Sequence, residues 1–257
     1  MANRDELIKY INECFGCEFR AKAKRIDSYV NGVQIKGSAE VKKVALGVSV
    51  SLEFLKRCRK YGADFIIAHH GMGLDGLDHY VNSVLKERFR ELIDGEMSLL
   101  GFHYMLDAHP EFGNNAQIMK KAGAAIVSPF LDEWGYIGEF PKALPLESVI
   151  RKLSGVFNSK PILFSNGPKQ IKRIGVVSGG GAPKITDMGE FIESGIELYV
   201  TGEAKEGTPG LAKEIKINYA AFGHYNTEKF GVMALGDLIK EKYPEIEVRF
   251  VDVPCDL

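Results

Sequence analysis

Val44, Leu46, Val48 and Val50 alternate with small or polar neighbours, and this period of two predicts a strand over Lys43–Val50. The spacing then lengthens to three: Leu52, Leu55, Cys58 and Tyr61 fall on one face of a helix that Gly62 closes. Asp64–Ala68 is a short apolar run of the kind buried in parallel sheets. Val81, Leu85, Phe89 and Leu92 mark a further helix that stops near Gly95, and Ser98–Tyr104 reads as the next strand. Upstream, Leu7, Ile8, Ile11 and Cys14 outline a first amphipathic helix. Asn114 or Asn115 is placed to cap a helix that ends at Gly123.

The second part repeats this grammar. Trp134–Phe140 looks extended, and Leu146, Val149, Ile150, Leu153 and Phe157 form a helical face. Strands are expected at Pro161–Phe164, Ile171–Ser178, Leu198–Thr201 and Tyr219–Phe222, with helices near 186–194 and 208–215 between them. A last helix near 226–242 precedes a strand at Glu245–Val251. Alternation of this kind predicts an α/β fold with mostly parallel sheets. Turn residues at Ser128-Pro129 mark the expected boundary, giving a first α/β lobe of 1–127 plus about 226–257 and a second of 128–225.

Composition narrows the function. The 257 residues carry 33 Lys plus Arg against 34 Asp plus Glu, so no basic excess exists to offset a nucleic-acid backbone. No apolar stretch approaches the ~20 residues of a membrane span, and the N-terminus lacks the apolar core of a signal peptide. Of four cysteines, only Cys14 and Cys17 are close, and a structural zinc site needs a second pair. On the first helix they read as packing residues. The expectation is a soluble, reduced, cytoplasmic protein.

The candidate chemistry lies just past strand ends, where open α/β sheets gather ligands. His69-His70-Gly71 follows the Asp64–Ala68 run; neighbours on a strand point to opposite sides, so the pair suits two adjacent metals. Asp107 follows the Ser98–Tyr104 strand, and its two oxygens can bridge ions. His103 precedes it by four residues, about 13 Å in extended chain, which makes His103 an outer-shell or substrate-contacting residue unless the chain turns. His224 and Glu228 are one helical turn apart at the start of the last helix. Ser178-Gly179-Gly180-Gly181 joins a strand to a helix and can form either a phosphate-holding nest or a tight turn. Glu203, in Thr201-Gly202-Glu203, adds a carboxylate at the same edge. Asn31-Gly32 reads as a turn, His109 as a loop-fixing residue before proline, and His79 as part of a solvated loop.

Taken together, the ordered blocks Asn31–Gly37, His69–Gly71, His103–Gln117, Ser178–Gly181, Thr201–Glu203 and Gly223–Glu228 resemble the Nif-three-like dinuclear metal centre family, whose members are often named GTP cyclohydrolase 1 type 2. The resemblance runs nearly end to end. It implies two α/β lobes with the metal site in the cleft between them, assembled as a ring-shaped homohexamer. It also implies metal ligands at His69, His70, Asp107, His224 and Glu228. Many relatives carry a histidine soon after the Thr-Gly-Glu block; Ala204–Leu211 here has none.

Three imidazoles and two carboxylates suit two divalent ions per chain, of Zn, Fe, Mn or Ni. The expected chemistry is hydrolysis of a nucleotide-like substrate, cyclohydrolase-like by resemblance, with phosphate at Gly179–Gly181. The alternatives are a metal-delivering protein without turnover and a regulatory adaptor.

Overall fold

A computed structural model describes residues 1–29, 31–73 and 80–255. The chain divides into two compact units: Met1–Leu106 with Gly231–Val253, and Asp107–Phe230 with the chain end from Pro254.

The first unit begins with β1 (Ala2–Asn3), α1 (Arg4–Phe15) and α2 (Cys17–Ile26). Asn3 caps α1 by accepting from the amides of Asp5 and Glu6. Next come β2 (Gly32–Ile35), β3 (Glu40–Val41), β4 (Lys43–Ser49), α3 (Leu52–Tyr61), β5 (Phe65–His70), α4 (Ser83–Asp94), β6 (Ser98–Gly101) and the start of α5 (Tyr104–Ala108). As the spacing predicts, α3 runs from a Ser51 cap to Gly62, which takes the left-handed conformation.

The second unit contains α6 (Asn114–Ala122), β7 (Ala125–Phe130), β8 (Gly135–Pro145), α7 (Leu146–Phe157), β9 (Ile162–Ser165) and β10 (Gln170–Val177). It continues through a 3-10 turn at Ile185–Asp187, α8 (Met188–Ser194), β11 (Leu198–Thr201), α9 (Thr208–Glu214), β12 (Asn218–Ala221) and the first residues of α10 (His224–Lys242). The final strand, β13 (Glu247–Phe250), belongs to the first unit's sheet.

That sheet has the order β13-β4-β5-β6-β2, parallel throughout except for β2, which runs antiparallel to β6. Ala45, Ile66, Ala68 and Leu99 pack with Phe54, Leu55, Leu85 and Leu92 on one face. The alternate residues Val44, Leu46, Phe65, Ile67 and Leu100 are equally buried, so both faces are covered, as a parallel sheet requires.

The second sheet has the order β7-β8-β10-β11-β12-β9, with a parallel centre of β10, β11 and β12 and antiparallel flanks. Its strands feed two cores with a period of two. Val176, Leu198, Val200 and Ala220 face the α6–α7 side, with Ile118, Leu153 and Phe157. Val177, Tyr199, Tyr219 and Ala221 face the other side, with Met188, Phe191 and Ala212. This unit is therefore a three-layer α/β sandwich.

Three local expectations change. Ser128-Pro129, expected as turn residues, lies in β7, an edge strand that can spare the amide proline lacks. Asn31-Gly32 is no hairpin turn: Gly32 opens β2, and the Asn31 side chain turns back toward α5. The strand expected to reach Tyr104 stops at Gly101 and gives way to α5.

Candidate metal centre

His69 and His70 close β5, where Ser49 pairs with His70 across the sheet. Gly71 then makes room for Gln34, whose amide oxygen accepts the Met72 N–H at 2.9 Å; a Cβ on Gly71 would collide with that oxygen. His69 is fully buried, and its Nδ1 lies 3.0 Å from the carbonyl oxygen of Phe102. A carbonyl can only accept, so Nδ1 carries the proton and Nε2 keeps the lone pair that a metal needs. His70 pairs its Nδ1 with the Ser49 hydroxyl at 2.9 Å.

His103 joins this pair. Its ring centre is 5.2 Å from that of His69 and 5.5 Å from that of His70. One ring nitrogen from each of the three lies within 4.8 Å of the others. The chain turns here because Asp27 and Asn31 satisfy the first amides of α5. Asn31 Oδ1 accepts from His103 N at 2.9 Å, and Asp27 Oδ2 accepts from Tyr104 N at 3.0 Å. Asp27 also takes the His103 Nδ1–H at 3.2 Å, the Asn31 amide at 2.7 Å and the Tyr29 N–H at 3.0 Å. Burial pushes this carboxyl up, but the hydrogen bonds from His103, Asn31, Tyr104 and Tyr29 outweigh it and hold its pKa at about 2.

In the second unit Asp107 is buried, with 5% of its surface exposed. Its Oδ1 accepts two hydrogen bonds, from Ser178 Oγ at 2.6 Å and Asn114 Nδ2 at 2.9 Å. Asn115 donates to the Asp107 carbonyl at 3.1 Å and accepts the Ser178 N–H at 2.7 Å. Neither asparagine caps α6, whose N-cap is Gly113; both side chains hold Asp107 and Ser178 instead.

His224 opens α10 between two carboxylates, with Nδ1 at 2.6 Å from Glu203 and Nε2 at 3.0 Å from Glu228. The hydrogen bond to Glu228 raises its pKa, burial opposes the rise, and the charges of Glu228 and Glu203 complete it, to about 9. A cation at Nε2 must displace that proton. Glu228 is almost fully buried beside Gly179, which has φ +62°. A Cβ there would collide with Glu228 Oε1.

Gly179 thus provides a cradle for a carboxylate. Its amide donates to Thr227 Oγ1 at 2.9 Å, and its carbonyl accepts the Gly202 N–H at 3.0 Å. Gly181 is equally hemmed in, because a Cβ would meet Thr201 Oγ1 at 2.7 Å, whereas one on Gly180 would find its nearest neighbour at 3.7 Å.

Elsewhere, His109 stacks on Phe112 with ring centres 3.6 Å apart, and its Nδ1 accepts the amides of Glu111 and Phe112. That is the loop-fixing role expected of it. His79 lies outside the described residues. Cys58 is buried, and burial pushes its thiol up to about 12. Among the described residues no cysteine joins a metal-holding group, and no helix is long and apolar enough to cross a membrane.

The sequence profile of Duf34/NIF3 (NGG1p interacting factor 3) fits residues 2–256. The chain belongs to the Duf34/NIF3 family. A relative from Pyrococcus horikoshii, named GTP cyclohydrolase 1 type 2 homolog, is 35% identical over 263 residues, covering 99% of this chain and 100% of its own. A relative of the same name from Escherichia coli K12 is 32% identical over 253 residues, covering 97% of each chain. The crystal structure of TTHA1606 from Thermus thermophilus superposes with a TM-score of 0.88 at 28% identity, over 100% of both chains.

Proposed function

We propose that this NIF3 family protein is a metal-dependent hydrolase with a dinuclear centre, acting on a nucleotide of the guanosine triphosphate class. Its ligands in this reading are His69, His70, Asp107, His224 and Glu228. The observation that carries it is that one ring nitrogen of His69 and one of His70 lie within 4.8 Å of each other and of one on His103, which stands beside the ligand pair for proton transfer, while hydrogen bonds turn Nδ1 of His69 and His103 away. Neutral imidazoles and carboxylates without a thiolate fit Zn, Fe, Mn or Ni. The name borne by the relatives supports the reaction class.

When bound, the metal pair supplies Lewis acidity and a water acidified to near neutral pH. The chain's own residues position and exchange protons. Ser178 and Asn114 hold Asp107 through hydrogen bonds to Oδ1, which fixes the orientation in which its carboxylate would meet a cation. Asp27 keeps the proton on Nδ1 of His103, so Nε2 is the atom that takes a proton from the attacking water and returns it to the leaving nitrogen. Attack at the carbon between the two nitrogens of the guanine imidazole ring, followed by a second hydrolysis, breaks both C–N bonds and releases formate at the cost of two waters. Gly179 has its amide committed to Thr227, and the turn runs beside the carboxylates of Glu228 and Glu203. A phosphate at Gly179–Gly181 would therefore need an intervening cation.

The test is formate release from a panel of purine and pyrimidine triphosphates by the metal-loaded protein. GTP-dependent formate that disappears in His103→Ala, with metal retained, supports the scheme. No turnover of any nucleotide by fully loaded protein would overturn the hydrolase reading and leave a metal-holding protein.

A further inference from the structure

Glu203 contributes no atom to the five-ligand set, yet its carboxylate makes one of the shortest side-chain contacts in the second unit, 2.6 Å to His224 Nδ1. Short, charge-assisted bonds of this kind fix both the tautomer and the rotation of an imidazole. With Nδ1–H held by Glu203, Nε2 faces Glu228 Oε1 at 3.0 Å. A ring flip would exchange that nitrogen for a carbon and remove the donor.

The backbone around Glu203 is itself anchored. Its carbonyl accepts the Tyr219 hydroxyl at 2.5 Å, and the preceding Gly202 donates to Gly179 O at 3.0 Å while accepting from Gly223 N at 2.9 Å. Gly202 has no space for a side chain, since a Cβ would lie 2.6 Å from Gly179 O and 2.7 Å from His224 Cα. The Thr201-Gly202-Glu203 segment is thus pressed against the start of α10, with the carboxylate reaching the ring from a fixed base.

We infer that Glu203 is a positioning residue for the metal centre, holding His224 with Nε2 presented for coordination and strengthening it as a donor. The inference rests on the metal-centre reading above. Partners of this type typically account for about 10–100-fold in metal affinity.

The test uses Co2+ as probe, with affinity measured by competition against a chromophoric chelator. The proteins are wild type, Glu203→Ala, Glu203→Gln, His224→Ala and the Glu203→Ala/His224→Ala double variant. Glu203→Ala should weaken Co2+ binding by about 10–100-fold. Glu203→Gln, whose amide oxygen still accepts, should recover part of the loss. In the His224→Ala background the Glu203 change should cost nothing further. In the proton spectrum of the Co2+ protein, the exchangeable resonance absent from His224→Ala should exchange faster with solvent in Glu203→Ala. Wild-type affinity in Glu203→Ala, or an equal loss with and without His224, overturns the inference while leaving the metal centre standing. A wild type that binds no Co2+ overturns both.

Discussion

The carboxylate of Asp27 accepts the Nδ1–H of His103 at 3.2 Å, and the same carboxylate accepts the Tyr104 amide, so one buried acid sets both a ring and the turn that carries it. Asp27→Ala would leave these donors unsatisfied in a buried setting. The expected cost is about 2–4 kcal/mol, read as a lower denaturation midpoint at unchanged slope. Asp27→Asn should cost less, because its carbonyl oxygen still accepts. Equal stability of wild type and Asp27→Ala would show that these bonds are dispensable.

The depressed pKa of Asp27 gives the stability a pH signature. Its folded value, about 2, lies below the unfolded value near 4, so its contribution is present above pH ~4 and lost as pH falls through about 2. The stability gap between wild type and Asp27→Asn should therefore narrow steadily on acidification below pH ~4. A gap independent of pH would contradict the assignment.

His224 has the opposite sign. Its folded pKa, about 9, exceeds the unfolded value near 6.5, so in metal-stripped protein its contribution is complete below pH ~6.5 and lost as pH rises through about 9. The ring resonances of His224 should titrate near that upper value and move down in Glu228→Gln. Titration near 6.5 in the wild type would show that the carboxylates do not hold the proton.

Gly179 and Gly180 offer a paired test of the carboxylate cradle. A methyl group at Gly179 collides with Glu228 Oε1 in a backbone of φ +62°, whereas at Gly180 the nearest atom is 3.7 Å away. Gly179→Ala should displace Glu228, cost about 1–3 kcal/mol and lower metal affinity. Gly180→Ala should leave both nearly unchanged. Equal effects of the two substitutions would refute the packing argument.

Much of this was legible in the residues. Period-two and period-three spacing marks β4 and α3, because burial dictates those patterns locally. The strand-end position singles out His69 and His70. Less legible was the support around the donors. Asp27-x-x-x-Asn31 looks like turn chemistry, and Asn114-Asn115 looks like a cap, since both residue types do those jobs by default. Only the fold brings Asn31 to the start of α5 and Asn114 to Asp107, through contacts 72 and 7 residues apart in sequence. Asn-Asn at a helix start, two amides where one cap suffices, was the available signal. The turn at His103 escaped for the same reason: its amides are satisfied by side chains distant in sequence.

The most direct measurement is metal content per chain by mass spectrometry, on wild type, His69→Ala and Asp107→Ala after identical reloading with a divalent ion. The account predicts close to two ions per wild-type chain and a clear fall in both variants. Substoichiometric metal that ignores both substitutions would contradict it.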